Sequence, residues 1–224
     1  MRRTLWLAGF VLASLALAAP AQAIAIIDFN MAGPTPGMIS WAGGTSPLQG
    51  IEIEVDNVYA SGAPLHHGVV VPITGGLLNF TTGNLTSFDG SVYTFGGGGQ
   101  IVISGNADFG GGAKNYAGLM SGTFTGATVE AVSSSVFKVV LGGFTDTKDL
   151  DLLNYFGLPT GVPYYGGINL QFYLVNNVGA PGFHSDPVLS GDITNTAVPE
   201  PGSMVLLGSG LIGLAAAVRR RLKK

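Results

Sequence analysis

Residues 51–56 read Ile-Glu-Ile-Glu-Val-Asp, and this strict alternation of apolar and acidic side chains decides the fold class. Successive side chains of a β-strand point to opposite faces of a sheet. Ile51, Ile53 and Val55 are therefore predicted to face the core, while the three acids face the solvent. The stretch predicts a half-buried β-strand.

Similar signals recur on both sides of it, where short apolar runs are separated by clusters of Gly, Asn, Asp and Ser. Further strands are predicted at Ile24–Phe29, Val69–Ile73, Leu77–Thr81, Val92–Phe95, Gln100–Ser104, Gly118–Thr125, Ala127–Val132, Val136–Leu141, Ile168–Asn176 and Val188–Thr194. Ser-Gly and Thr-Gly pairs mark many of the breaks, because Gly supplies the positive φ that tight turns need. Many short strands joined by turns predict an all-β body, folded as a single β-sandwich or jelly-roll-like domain.

Helix is scarce in this part of the chain, and Thr147–Tyr155 is the segment predicted to form one. Asp146 or Thr147 could cap its first turn, because their side-chain oxygens accept hydrogen bonds from free N–H groups. Gly157 and Pro159 are predicted to end it.

The composition limits the classes of protein that remain. The chain has 224 residues, of which 46% are hydrophobic and only 10% charged, and Gly occupies 36 positions. An average soluble domain carries about 25% charged residues. The sequence contains no Cys, which excludes a disulfide framework, a cysteine–zinc site and a thiol nucleophile.

The first part of the chain, residues 1–23, has the order of a secretory signal peptide. Two arginines lie near its start, Leu5–Ala19 is apolar, and Ala21 and Ala23 form a small-x-small cleavage site. Export followed by removal of this segment is predicted. The alternative is an N-terminal membrane anchor.

The C-terminus combines an apolar run with a basic tail. Ser203–Val218 contains no ionisable residue and would be about 24 Å long as a helix, at 1.5 Å per residue. It is followed by Arg219, Arg220, Arg221, Lys223 and Lys224. Cations next to an apolar run favour the cytoplasmic side of a membrane, so a transmembrane helix with the body outside is predicted. A soluble core helix is the alternative.

Val198-Pro199-Glu200-Pro201 lies directly before this run. Proline fixes φ and lacks an N–H, so the two prolines hold the chain extended, as a protease substrate or as a rigid spacer. The order of motif, apolar helix and basic tail over residues 198–224 resembles the PEP-CTERM sorting signal of bacterial exported proteins.

That resemblance implies processing near the motif by an exosortase, which is an integral-membrane protease. It implies an inner-membrane-anchored precursor and a product at the cell surface or outside the cell. Bearers of the signal commonly come from bacteria that make extracellular polysaccharide, so exopolysaccharide is a possible partner. The predicted domains are thus a signal peptide (1–23), an extracytoplasmic β-rich domain (24–197) and the sorting signal (198–224).

The predicted body is strongly acidic. Residues 24–197 contain three Lys, no Arg and twelve Asp or Glu, a formal net charge of −9. Nucleic-acid binding through phosphate neutralisation is excluded by this balance, whereas divalent cations could be attracted. Asp146, Asp149 and Asp151 are close together in the sequence and form a candidate calcium site. Helix capping and a solvated surface are the alternative interpretation.

No arrangement typical of catalysis is found, so the protein is predicted not to be an enzyme. The body is predicted to be a structural or adhesive component of the cell envelope or extracellular matrix. One alternative is a carbohydrate-binding module that stacks sugars on Trp41 or on the Tyr164-Tyr165 pair. Another is an extracellular glycoside hydrolase that uses paired carboxylates, for which Glu52, Glu54 and Asp56 are candidates. These two alternatives remain open at this point.

Overall fold

The computed structural model describes residues 24–133, 136–174, 182–197 and 210 of the chain. Within these residues the strands are β1 (Ile26–Met31), β2 (Met38–Trp41), β3 (Pro47–Ser61), β4 (Val71–Phe88), β5 (Val92–Phe95), β6 (Gly98–Ala107), β7 (Lys114–Phe124), β8 (Ala127–Ala131), β9 (Val136–Lys148), β10 (Tyr164–Leu174) and β11 (Phe183–Ala197). A helix, α1 (Leu150–Phe156), lies between β9 and β10.

All eleven strands belong to one antiparallel sheet that closes on itself. The pairings run from β1 to β3, β4, β6, β7, β9, β10 and β11, and β11 pairs with β1 again. β2 pairs with both β3 and β11. β5 pairs with β4 and with β8, and β8 pairs with β9, so β5 and β8 together connect β4 to β9. Closure satisfies backbone groups that an open sheet would leave unpaired at its edges.

The core lies inside the closed sheet, where the inward side chains of all faces meet. Alternation is clearest in β10, whose residues Tyr164, Gly166, Ile168, Leu170 and Phe172 are buried while their neighbours are more exposed. The largest fully buried side chains include Phe29, Phe95, Phe137, Phe144, Phe156 and Phe172. Burial of this apolar surface is the main stabilising contribution to such a fold.

The prediction of an all-β body is confirmed, and its finer form differs from the structure. A sandwich or jelly roll divides its strands between two sheets, whereas all strands described here share one sheet. Val69–Ile73 and Leu77–Thr81 were predicted as separate strands and are joined in β4. Gly75 has a φ of 60° and lies where the pairing of β4 with β6 shifts in register, so it forms a bulge and not a turn.

Residues 51–56 lie in strand β3 as predicted, but the alternation of buried and exposed side chains is interrupted there. Ile53 and Val55 are fully buried as predicted, while Ile51 is 37% exposed. Glu52 has a φ of 50°, and the pairing of β3 with β4 shifts between Gly50 and Ile53. The prediction that Ile51 faces the core is therefore wrong, because a bulge at Glu52 reverses the side-chain direction of the residues before it.

The predicted helix exists, but it begins later than expected. Thr147 is still part of β9, and α1 begins at Leu150 with Asp149 as its N-cap. The Asp149 side chain accepts a hydrogen bond from the backbone N–H of Asp151, which corrects the predicted caps. Gly157 ends the helix in the left-handed conformation, with a φ of 68°.

Both ends of the described body lie at the same end of the closed sheet. Ile26 of β1 pairs with Thr196 of β11, and β11 stops at Ala197, directly before the predicted sorting signal. The predicted signal peptide, with Ala21 and Ala23, lies outside the described residues, and so does the predicted C-terminal helix apart from Gly210. No helix in the described part of the chain combines the length and apolar character needed to cross a membrane.

Candidate functional site

An open cleft of about 510 Å³ lies beside α1, at the end of the sheet that carries both ends of the body. Its walls come from the β3–β4 loop, the β6–β7 loop, the start of β7 and α1. We call it the aromatic cleft, after the side chains of His66, Phe109, Tyr116 and Tyr155 that line it.

One wall of the aromatic cleft is a stack of rings. The His66 imidazole lies on the Tyr155 ring with centroids 3.9 Å apart and planes 4° from parallel. His66 Nδ1 is 2.6 Å from the Tyr155 carbonyl oxygen. A carbonyl oxygen only accepts, so Nδ1 is the donor of this hydrogen bond. Phe109 packs at an angle against both Tyr155 and Tyr116, which fixes the wall in place.

The neighbouring part of the cleft carries charge, since Asp151 lies one helical turn before Tyr155 on α1. Lys114 Nζ is 2.7 Å from Asp151 Oδ2, and the Tyr116 hydroxyl donates to the same oxygen at 3.0 Å. The hydrogen bonds from Lys114 and Tyr116 hold the pKa of Asp151 below its usual value. Burial, together with the hydrogen bond to Asp151, raises the pKa of Tyr116 to about 12. At neutral pH this part of the cleft therefore presents a carboxylate, an ammonium group and a neutral phenol.

The β6–β7 loop is held by one carboxylate. Asp108 Oδ1 accepts from the N–H groups of Gly110 at 2.8 Å and Gly112 at 2.9 Å. Gly110 and Gly112 have φ values of 88° and 91°, a conformation that other residues rarely adopt. The turn is compact and glycine-rich, so it leaves the mouth of the cleft open.

The three aspartates of the candidate calcium site have separate surroundings. Asp146 is buried in the sheet, Asp149 caps α1, and Asp151 pairs with Lys114 at the surface. Among the described residues, no group of three or more His, Cys, Asp or Glu side chains is arranged to hold a metal ion. Calcium binding stays a prediction.

Asp146 instead forms an ion pair inside the closed sheet. It and Lys148 are two residues apart on β9, so both side chains point inward, where Lys148 Nζ contacts Asp146 Oδ1. Lys148 Nζ also donates to Asn195 Oδ1 at 3.1 Å and lies 5.0 Å from the centre of the Tyr164 ring. The sequence analysis did not predict this pair. The signal that could have found it is the presence of two opposite charges at alternate positions of a strand.

Burial shifts both partners toward their neutral forms. It lowers the pKa of Lys148 to about 8, even though Asp146 acts in the opposite direction. It raises the pKa of Asp146, against the effect of Lys148. Both shifts have the cause expected when charges leave water. The charge of each partner opposes the shift that burial causes in the pKa of the other.

The aromatics proposed for sugar stacking are mostly internal. Trp41 is only 8% exposed and its Nε1 donates to the Ser46 carbonyl at 3.1 Å. Tyr164 is fully buried and donates to the Pro159 carbonyl at 2.8 Å, whereas Tyr165 is half exposed. Trp41 and Tyr164 are therefore not available for the sugar stacking given as an alternative, because both side chains take inward positions of the sheet.

The acids of the row on β3 have different surroundings. Asp56 Oδ2 accepts from the backbone N–H of Ala32 at 2.7 Å and so holds the loop after β1. The backbone of Glu52 forms the bulge, and its N–H donates to Asn79 Oδ1 at 3.0 Å. The Asp56 carboxylate therefore has a local structural role, and the bulge at Glu52 interrupts the acidic row.

The last described strand, β11, ends at Ala197, and Val198-Pro199-Glu200-Pro201 follows it in the sequence. The family model described as the PEP-CTERM protein-sorting motif matches residues 197–221. The chain therefore carries this motif, which implies export, membrane-associated sorting and processing by an exosortase. No curated protein and no solved structure matches the chain.

Proposed function

We propose that this protein is a non-enzymatic component of the bacterial cell envelope or extracellular matrix, released from the membrane by an exosortase. The signal peptide directs export, the segment 203–218 anchors the precursor, and Val198–Pro201 is the recognition site. The observation that carries this proposal is the sorting motif at residues 197–221, which begins at the last residue of β11, the final described strand of the closed sheet. Cleavage there leaves every strand of the body intact.

The chemistry of the aromatic cleft supports a body without catalytic activity. Glycosidases of the common type need two carboxylates about 5–9 Å apart. Asp151 is the one carboxylate among the described residues that line the cleft. Its hydrogen bonds from Lys114 and Tyr116 lower its pKa, which is the opposite of what a general acid requires.

Substitution of Pro199, Glu200 and Pro201 by alanine tests the proposal in the native host. We expect a precursor that keeps its C-terminus and accumulates in the membrane fraction, because the extended recognition segment is lost. Pro159→Ala, in an exposed loop of the body, is the matched control and should be processed normally. Normal processing and release of the triple-alanine variant would refute recognition at this site.

A second function is favoured by the stacked wall of the aromatic cleft. Aromatic faces bind the apolar side of sugar rings, and neighbouring polar groups fix their hydroxyls. Tyr155 and Phe109 offer such faces beside the polar side chains of Lys114, Asp151 and His66. The body's net charge of −9 favours a neutral saccharide over an anionic one.

Binding of neutral and anionic oligosaccharides to the secreted protein tests this second function. Tyr155→Ala should weaken neutral-saccharide binding at least tenfold, because both the ring and its stack with His66 are removed. Tyr173→Ala removes an exposed ring from the opposite end of the sheet and should leave binding unchanged. Equal affinity of the two variants would place sugar binding elsewhere.

A further inference from the structure

The sheet has two distinct ends, and one of them carries both ends of the body. Ile26 pairs with both Ser61 of β3 and Thr196 of β11, while Tyr164 pairs with Ala197. The β3–β4 loop, the β6–β7 loop and α1 follow strand ends at this same level. We call this the tether end, because the chain continues from it into the sorting signal.

Exposed apolar side chains are concentrated at the tether end. Of the eleven large hydrophobic residues that are exposed in the described part of the chain, seven lie there: Ile24, Ile26, Leu65, Val69, Val70, Leu150 and Tyr165. Three of them share the β3–β4 loop, where Val70 is 55% exposed. Exposed apolar clusters of this kind mark contacts with another surface.

Only a short segment of chain separates the sheet from the apolar run that is predicted to enter the membrane. Five residues, 198–202, separate Ala197 from the apolar run that begins at Ser203. Fully extended, they span at most about 18 Å at 3.3–3.6 Å per residue. β11 has 15 residues and a length of about 50 Å at 3.3 Å per residue. In a precursor anchored by the apolar run, the tether end would thus lie within about 18 Å of the start of that run.

We propose that the tether end rests on the bilayer surface in the precursor, with Leu65, Val69 and Val70 in contact with the lipid interface. This inference rests on the proposed function, because the anchor at 203–218 supplies the tether. A short tether raises the effective concentration of the two surfaces, so modest apolar contacts suffice. The acidic body is repelled by anionic lipid, so apolar contact and not charge holds this end.

The absence of Cys from the sequence makes a site-specific test possible. A fluorophore is attached to Val70→Cys at the tether end or to Val132→Cys, which is 60% exposed at the β8–β9 connection of the opposite end. Both positions are exposed, so neither label disturbs the core. The full-length chain is inserted into phosphatidylcholine vesicles that contain lipids spin-labelled near the headgroup.

Contact with the bilayer predicts at least threefold stronger quenching at position 70 than at position 132. Leu65→Ser combined with Val69→Ser should reduce the quenching at position 70 at least twofold. Equal quenching at both positions in protein that floats with the vesicles would overturn this inference and leave the anchor intact. Protein that does not float with the vesicles would overturn the anchor and this inference with it.

Discussion

Lys148 shows how a single residue can shape the interior of a closed sheet. Its ammonium group is enclosed by Asp146, Asn195 and the Tyr164 ring, with no exposed side-chain surface. Removing a charge from water is costly, and the contact with its partner offsets that cost only while both partners are present. The pair therefore joins β9 to β11 through Asn195 and to β10 through the Tyr164 ring.

Lys148→Met tests this role. Loss of the ammonium group leaves Asp146 as an unpaired buried carboxylate, so we expect the free energy of unfolding to fall by about 3–5 kcal/mol in urea denaturation. Asp146→Val combined with Lys148→Met removes both charges and should recover most of that loss. Lys114→Met disrupts the exposed pair with Asp151 and should have a much smaller effect. A Lys148→Met protein as stable as the wild type would contradict the account.

The same pair predicts a dependence of stability on pH. The pKa of Lys148 is about 8 in the folded protein and 10.5 in the unfolded chain, so the unfolded state holds more protons between these values. The free energy of unfolding should rise from pH 8 to 9.5 relative to the double variant, by up to about 1.4 kcal/mol per pH unit. If the free energies of unfolding of the wild type and of the double variant changed with pH in parallel, Lys148 would have an ordinary pKa in the folded protein.

At the scale of residues, the sequence predicted side-chain direction well where alternation was uninterrupted. Ile53 and Val55 are buried as the pattern of residues 51–56 required. Ile51 is exposed, because Glu52 adopts a positive φ. Residues of this type rarely have a positive φ, and nothing in the local sequence predicted it. The inward pair of Asp146 and Lys148 was readable from its spacing only once β9 was known to continue through Lys148.

At the scale of elements, α1 is small but positions much of the aromatic cleft. It contributes both Asp151 and Tyr155 to the lining of the cleft, and its end at Gly157 lies against Leu65 of the β3–β4 loop. Asp149 caps its start and Gly157 its end. The two caps stabilise the ends of α1 and so help to position Asp151 and Tyr155 in the cleft.

Gly157→Ala tests the importance of this helix end. An alanine at a φ of 68° is strained, and its Cβ would lie 2.9 Å from Leu65 Cγ, so we expect a loss of about 1–2 kcal/mol in the free energy of unfolding. Asn154→Ala, at an exposed position of the same helix, is the control and should change stability by less than about 0.5 kcal/mol. Similar effects of the two substitutions would mean that the left-handed cap is not required.

Elements with a strong local pattern were predicted, and those defined by distant pairing were not. β5 has the predicted bounds, Val92–Phe95, because apolar and aromatic residues alternate between turn signals. β2 was missed, since its four residues are a strand only through pairing with β3 and β11. The aromatic cleft was missed for the same reason: His66 and Tyr155 are 89 residues apart in sequence.

At the scale of the whole molecule, closure of the sheet explains why processing at both ends is compatible with a stable body. β1 and β11 complete the closed sheet next to each other, and the sorting motif begins where β11 stops. The predicted cleavages at Ala23 and near Pro201 therefore remove segments outside the sheet. The sequence could predict the sorting signal because its three parts are contiguous, whereas closure depends on pairings across the whole chain.

Mass spectrometry of the protein isolated from its native host tests the central claim most directly. The account predicts an extracytoplasmic product that begins at Ile24 and ends near Val198–Pro201. An intact chain from Met1 to Lys224, dissolved in the cytoplasm, would contradict it.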